Sequence, residues 1–376
     1  MIYEEVASPT QRTITATTRI LSTLKLDGPL LIGLGLIALF GQIVLYSASG
    51  QDVGAVIRGT ARFFLGTVAM LALARLKPSF LRRIAPWLYM LGIALLVVVD
   101  GIGYIGKGAQ RWLDIGFFRF QPSEIMKLAV PMMCAWWLHE RPLPPDWKTL
   151  LVLVGLILIP TGLVVAQPDL GTGLLILIAG GLVVLLAGLQ IRIIGGLAFL
   201  GAVGAWGGWQ FLHDYQRKRV LTFIDPQSDP LGAGYHSIQS AIAIGSGGLF
   251  GKGWMHGSQG QLEFLPERST DFIFAVIGEE FGMLGASLLL LLYVFVVGRA
   301  LFLSMQTSGT FSRLLSGSLA LTFFVYVFIN MGMVTGLIPV VGVPLPLVSY
   351  GGTSMVTLLA GFGILMSLYS HRKLVG

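Results

Sequence analysis

Charge is what this sequence has least of. Of its 376 residues only 11% are Asp, Glu, Lys or Arg, while 55% are hydrophobic and the mean hydropathy is +0.80. A soluble globular domain carries about 25% charged residues, so that class is excluded. Cysteine is nearly absent. Cys134 stands alone inside an apolar stretch, which rules out an intrachain disulfide and a cysteine-rich metal cage. The five histidines, His139, His213, His236, His256 and His371, have no spacing that suits zinc. A P-loop is missing too. The nearest run, "SGGLFGKG", has Ser246 where the first glycine is needed and Gly253 where Ser or Thr should follow the lysine. The first 27 residues lack the short apolar core and small-residue cleavage site of a signal peptide, so the first apolar stretch is expected to persist as a helix.

Long apolar runs are abundant. A spanning helix needs about 20 mainly apolar residues, and ten segments qualify: roughly 28–48, 55–75, 82–100, 121–138, 149–167, 170–189, 192–212, 271–298, 314–337 and 350–370. The expectation is an all-α polytopic membrane protein of about ten transmembrane helices in one membrane domain, 28–370. Residues 1–27 and 371–376 would be tails, and a large extracytoplasmic loop, 213–270, would join the seventh and eighth helices. An even count puts both termini on one side. Fourteen of the 25 lysines and arginines fall in the two tails and the short loops on that side, which makes it cytoplasmic by the positive-inside rule. The net charge of +7 is then topogenic, and no nucleic-acid partner is implied.

Three segments face outward: 101–120, 213–270 and 338–349. They hold Lys107, Arg111 and Arg119, then Arg217, Lys218, Arg219, Lys252 and Arg268. Long loops translocate with little regard to charge, but in the shorter first loop the binding of an anionic group explains more. Within the second, "YHSIQSAIAIGSGGLFG" spaces Ile238, Ala241, Ile242 and Gly245 as an amphipathic helix would, so it is expected to lie at the membrane surface.

Ionisable groups inside a span are expensive and usually line a cavity or pathway. In "RFQPSEIMKLAV", Glu124 and Lys127 are three residues apart and share a helix face. They read either as a mutually neutralising pair or as a lysine oriented toward an anionic substrate. Asp169 in "AQPDLGTG" and Asp271 in "RSTDFIF" each suit a helix N-cap or a reactive carboxylate. Glu279 and Glu280 lie about 12–14 Å further along the same helix, deep enough to need a polar partner. Pro339, Pro344 and Pro346 followed by Gly351 and Gly352 cannot form a straight helix. Such backbone is tolerated at membrane depth only when buried in protein or lining a cavity. By parity, the Glu124 end, the Asp169 turn, the Asp271 entrance and the 338–349 segment all reach the same outer face.

The run "NMGMVTGLIPVVGVPLPLVSYGGTS" resembles the signature of the SEDS family, the shape, elongation, division and sporulation proteins. "GKGAQRWLDIG", "FQPSEIMK", "AQPDLGTG", "HDYQRKRV", "DPLGAGYHSIQSAIAIGSGGLFGKGW" and "FLPERSTDFIFAVIGEE" are similar to its rod-shape branch. The resemblance runs from about residue 28 over nearly the whole chain. It implies a peptidoglycan glycosyltransferase that polymerises lipid II outside the cytoplasmic (inner) membrane. Implied partners are a class B penicillin-binding protein, which is a monofunctional transpeptidase, and other elongation-complex proteins. Matched by motif, the catalytic aspartate is Asp271, supported by Glu124, Lys127 and Asp169. The basic and polar residues Lys107, Arg111, Trp112, Gln121, Arg217, Lys218, Arg268 and Ser349 are the expected substrate-binding set. Basic side chains, or a divalent cation such as Mg2+, would stabilise the departing pyrophosphate. Two rival readings are a lipid II flippase, which should carry polar groups along the whole crossing, and a non-catalytic scaffold for a partner synthase.

The topology has a direct check. Cysteines introduced at Ser228 and Pro344 are expected to react with an impermeant thiol reagent in intact cells, and one at Arg141 to stay unlabelled; labelling at Arg141 would overturn the orientation.

Overall fold

In a computed structural model of the chain, the described residues are 26–371 apart from 107–108, 115, 117–118, 262–263, 266 and most of 190–232. The helices begin where local chemistry starts them. Asp27, Asp52, Asp146 and Asp169 each accept a backbone N–H bond as the N-cap of α1 (Gly28–Ala48), α2 (Val53–Ala74), α5 (Trp147–Ala166) and α6 (Leu170–Leu186). Proline occupies the first turn of α3 (Pro78–Ile102) and α4 (Pro122–Leu138), where its missing N–H costs nothing. There follow α7 (Ala233–Gly247), the single turn α8 (Ser258–Gln261), α9 (Ile273–Met305), α10 (Thr310–Val334) and α11 (Thr353–Ser370).

Among the described residues seven of these helices, α1, α2, α3, α5, α9, α10 and α11, are long and apolar enough to cross a membrane. The chain is therefore a multi-pass membrane protein. α4 and α6 are shorter, at 17 residues each. The expected seventh span, 192–212, lies largely outside the described residues, as do the two tails, Lys107 and Lys218.

The expectation of an all-α chain needs one correction. Residues 104–120 contain a small antiparallel sheet of β1 (Tyr104–Gly106), β2 (Ala109–Asp114) and β3 (Arg119–Phe120), with Tyr104 opposite Trp112 and Leu113 opposite Phe120. Its effect is to fix Arg111 and Trp112 over one end of the bundle.

Two apolar clusters hold the helices together. One joins α1, α9 and the facing sides of α10 and α11; the other joins α3 to α6 with the opposite sides of α10 and α11. A smaller cluster of Leu175, Tyr326, Ile329 and Val343 sits at the seam. Asp27, besides capping α1, takes two hydrogen bonds from Arg299 at 3.0 and 2.7 Å and so ties α1 to the far part of α9.

α7 does not lie flat on a surface. His236 stacks on Phe272 at 5.5 Å, Ser240 donates to the Val334 carbonyl at 2.9 Å, and Gly247 meets Gly278 backbone to backbone. It therefore runs down alongside the first part of α9, because Ala243, fully buried, and the small Gly247 allow close approach. α9 is broken there. Gly282 has φ 64° and ψ −162°, a backbone state reserved for glycine. The loop after α7 fills the break: Lys252 N and Gly253 N donate to the carbonyls of Glu279 and Glu280 at 2.9 and 3.0 Å, and Met283 N and Leu284 N donate to Gly248 and Leu249 at 2.9 and 3.1 Å. Two carbonyls and two amides at the break are thereby given partners from another segment.

Glu279 and Glu280 take their place in this splice. Glu279 accepts from Lys252 Nζ at 2.7 Å, Ser258 Oγ at 3.0 Å, and the backbone of Gln259 and Gly260; Glu280 accepts from Ser47 Oγ of α1. An added Cβ at Gly282 would lie 2.7 Å from the Leu249 carbonyl oxygen and nearer still to the Gly251 nitrogen. Gly282→Ala is thus expected to destabilise the purified protein by more than ~1 kcal/mol; thermal unfolding in detergent measures it, and an unchanged midpoint would contradict the splice.

Candidate active site

At one end of the bundle a cavity of about 260 Å³ opens to the protein surface. Its wall is assembled from distant pieces of chain. β2 contributes Arg111 and Trp112, the start of α4 Gln121, Glu124 and Lys127, and the start of α6 Asp169, Thr172 and Leu175. The turn before α9 adds Glu267, Thr270 and Asp271; α10 adds Tyr326; and the proline-rich segment with the start of α11 adds Gly342 to Pro344 and Tyr350 to Ser354.

Glu124 and Lys127 are both about 5% exposed and form a 2.7 Å ion pair within one turn of α4. Only one carboxylate oxygen is used. Among the described residues Glu124 Oε2 has no hydrogen-bond partner, although an unsatisfied buried carboxylate oxygen is costly. Lys127 Nζ lies 5.3 Å over the Tyr326 ring. The pair is thus half-satisfied internally, and both of its residues line the cavity.

Asp169 serves two purposes with its two oxygens. Oδ1 accepts from Thr172 N at 3.2 Å and caps α6, while Oδ2 accepts from Gln121 Nε2 at 3.0 Å and lies 3.8 Å from Arg111. Arg111 also donates to the carbonyls of Gln167 (3.0 Å) and Pro168. The sheet, α4 and the α5–α6 corner are locked into one polar corner by this network.

Asp271 lies one residue ahead of the α9 N-cap position, which is Phe272, and that position has no side-chain cap bond. Asp271 Oδ2 approaches Gly342, where an added Cβ would sit 3.4 Å from it. The turn carrying Asp271 is fixed through its backbone. Asn330 Nδ2, fully buried on α10, donates to the carbonyls of Asp271 at 2.8 Å and Val343 at 2.7 Å. Tyr350 N donates to the Ser269 carbonyl at 2.8 Å.

Three expected substrate-binding residues take other positions. Ser349 is buried, receives Leu345 N at 2.8 Å and donates to the Thr270 carbonyl; it braces the turn and is not part of the cavity wall. Arg268 donates to the carbonyls of Ala48 (2.9 Å) and Gly260, which ties the turn to α1. Arg217 donates to the carbonyls of Trp209 and Gln210 at 3.0 and 2.6 Å. A basic or hydroxyl side chain in a loop near a site looks the same in sequence whether it holds a ligand or a carbonyl.

Other residues in the wall escaped the sequence reading. Glu267 has φ 53° and, through its carbonyl and Oε2, accepts from Thr270 N and Oγ1. Tyr350 receives Arg58 Nε at 2.9 Å and Arg62 Nη2 at 3.1 Å on its hydroxyl oxygen. Burial acts to raise the Tyr350 pKa, but the hydrogen bonds and charges of the two guanidinium groups outweigh it and hold the phenol below its ordinary value. The one available signal was Arg58 and Arg62 themselves, two charges inside an otherwise apolar span.

A divalent cation finds no ready-made cage. Among the described residues no group of three or more His, Cys, Asp or Glu side chains could hold one, and the cavity's Glu124, Asp169 and Glu267 already spend oxygens on Lys127, Thr172, Gln121 and Thr270.

The chain resembles known proteins over nearly its whole length. It is 52% identical to the peptidoglycan glycosyltransferase MrdB of Escherichia coli K12, across 93% of this chain and 95% of the relative. It is 34% identical to stage V sporulation protein E of Bacillus subtilis, across 75% and 77%. A solved structure concerning coordination of polymerization and crosslinking by a peptidoglycan synthase complex superimposes with a TM-score of 0.81 at 34% identity, covering 93% of this chain and 98% of that one. The Thermus thermophilus rod shape determining protein RodA superimposes with a TM-score of 0.70 at 29% identity, covering 92% and 97%. A family model for cell cycle proteins of the FtsW, RodA and SpoVE type matches residues 28–374, and with these relatives the chain belongs to that family, the SEDS proteins.

Proposed function

We propose that this protein is a peptidoglycan glycosyltransferase that polymerises lipid II into glycan strands during cell elongation. The observation that carries the reading is the meeting of Glu124, Lys127, Asp169 and Asp271, from three separate segments, in one cavity at one end of an apolar bundle. The relatives named as peptidoglycan glycosyltransferases support it. In this reading the chain crosses the bacterial inner membrane about ten times, both termini are cytoplasmic, and the cavity faces outward. Its partner is a class B penicillin-binding protein, which the solved synthase complex supports by analogy.

The chemistry follows from the wall. A hydroxyl of one sugar attacks the anomeric carbon of another, the new C–O bond forms as the bond to the lipid diphosphate breaks, and the anomeric centre inverts. Asp271 accepts the hydroxyl proton. The departing diphosphate carries its negative charge toward Lys127 and Arg111, cations already held in place by Glu124 and by the Gln167 and Pro168 carbonyls. Asp169 and Gln121 orient the acceptor sugar. A single base is enough for inversion.

Asp271→Asn keeps size and polarity but removes the base. It is expected to leave insertion and partner binding intact and to lower polymerisation of purified lipid II by about 10²-fold or more, read as gel-resolved glycan; near-normal product would move the base to another carboxylate. For the α4 pair, exchanging the charges as Glu124→Lys with Lys127→Glu preserves a mutual ion pair, which costs only a few tenths of a kcal/mol in an exposed helix. The swapped protein is nonetheless expected to insert and be inactive, because the cation is displaced from the cavity. Activity in the swap would reduce the pair to charge neutralisation.

A further inference from the structure

Behind Lys127, between α4, α10 and α11, lies a second and much smaller cavity of about 30 Å³. Lys127 and Tyr326 line both this space and the large cavity, so these two side chains stand where the cavities adjoin. Apart from them, the only polar side chains in the wall of the small cavity are Thr322 and Thr357. Part of the room is what Gly361 leaves: a Cβ added there would meet Leu128 at 3.5 Å and Leu319 at 3.7 Å, which are ordinary contacts.

Thr322 breaks a habit of this chain. A threonine inside a helix commonly gives its hydroxyl hydrogen to the carbonyl four residues back, and Thr67, Thr161, Thr335 and Thr357 all do so, at 2.9, 2.8, 2.8 and 3.1 Å. Thr322 does not. It is 5% exposed, and its Oγ1 has no hydrogen-bond partner among the described residues. A bare buried hydroxyl is costly, and a valine of the same shape would avoid the cost.

The small cavity supplies what the hydroxyl lacks. An ammonium has three N–H donors; Glu124 takes one from Lys127 at 2.7 Å and the Tyr326 hydroxyl engages it too, which leaves a donor for a third acceptor. A water needs about 10–15 Å³ and two to four polar partners. Here there is room for it, with Lys127 to donate to it and Thr322 and the spare lone pairs of Thr357 to accept from it.

We propose that this cavity holds an ordered water bonded to Lys127 and Thr322, and that Thr322 acts through it as a positioning residue for the cation that meets the departing diphosphate. The role rests on the glycosyl-transfer reading. Lysine is a long, flexible side chain, and each fixed acceptor narrows where its charge can sit. The water adds an acceptor anchored on α10, so the charge is in place before the leaving group forms and need not reorganise as negative charge develops. Because the water lies in the cavity behind Lys127, its loss falls on the chemical step and not on substrate binding.

The test measures lipid II polymerisation and thermal unfolding on the full-length protein in nanodiscs. Thr322→Val, which keeps the shape and removes the hydroxyl, is expected to lower kcat about 10-fold, to leave KM for lipid II within about twofold, and to lower the unfolding midpoint. Thr322→Ser restores the hydroxyl and is expected to recover most of kcat. Gly361→Ala fills the cavity from α11 without altering Thr322 or Lys127, and a similar fall in kcat is expected. A raised midpoint with unchanged kcat in Thr322→Val would reveal a bare hydroxyl and overturn the proposal. Equal losses of kcat in the valine and serine variants would mark a packing role and overturn it too, as would a normal kcat in Gly361→Ala. If the wild-type protein makes no glycan, the glycosyl-transfer reading fails, and the midpoints still decide the water: a valine midpoint above wild type excludes it, and one below supports it.

Discussion

One side chain amide holds the irregular part of this bundle in register. Asn330 is fully buried in α10, and its two amide hydrogens go to carbonyls of two segments that are not helical, the turn at Asp271 and the proline-rich strand at Val343. Carbonyls freed by proline or by a turn cannot be left bare in an apolar interior. Ser349 and Tyr293 act likewise, on the Thr270 carbonyl and on that of Pro346 at 2.6 Å. Because the same bonds that satisfy the backbone also join the Asp271 turn to the Gly342 wall, the stability of the loop and the geometry of the site are one problem.

The broken helix α9 solves the same problem by another route. Where Asn330 supplies a side chain, the Gly282 break is supplied with backbone from the loop after α7, and the two glutamates nearby are neutralised by Lys252 or hydrogen-bonded by Ser47. Asp271 therefore precedes a short helical segment of about nine residues, Ile273–Phe281, whose far end is clamped. A long continuous helix would have carried any tilt along its whole length to the carboxylate. The break isolates it.

Much of this was legible in the sequence, for definable reasons. Apolar runs of spanning length located the seven described spans, with α9 running seven residues past the expected end and the expected 192–212 span largely outside the described residues, and charges near or inside spans drew attention to Glu124, Lys127, Asp169 and Asp271, all of which line one cavity. What escaped depends on partners distant in sequence. Nothing local distinguishes Gly282 from the other glycines of this chain, since its strain exists only against Gly251 and Leu249. The small sheet was hidden by short strands of two to six residues. Arg268 and Ser349 were readable as ligand contacts because sequence does not reveal which carbonyls will need donors, and Arg58 and Arg62 were passed over because the apolar average of their span conceals two charges.

The cavity floor has a consequence for the membrane itself. Leu175, Tyr326, Ile329 and Val343 close the polar space with a small apolar cluster, and beneath it α10 and α11 pack apolar side chains on both sides. Among the described residues the polar side chains beneath this plug include hydroxyls bonded to carbonyls, as Ser316 to Ser312 and Ser318 to Ala179. A floor of this kind keeps a proton-transferring reaction on one side of the bundle.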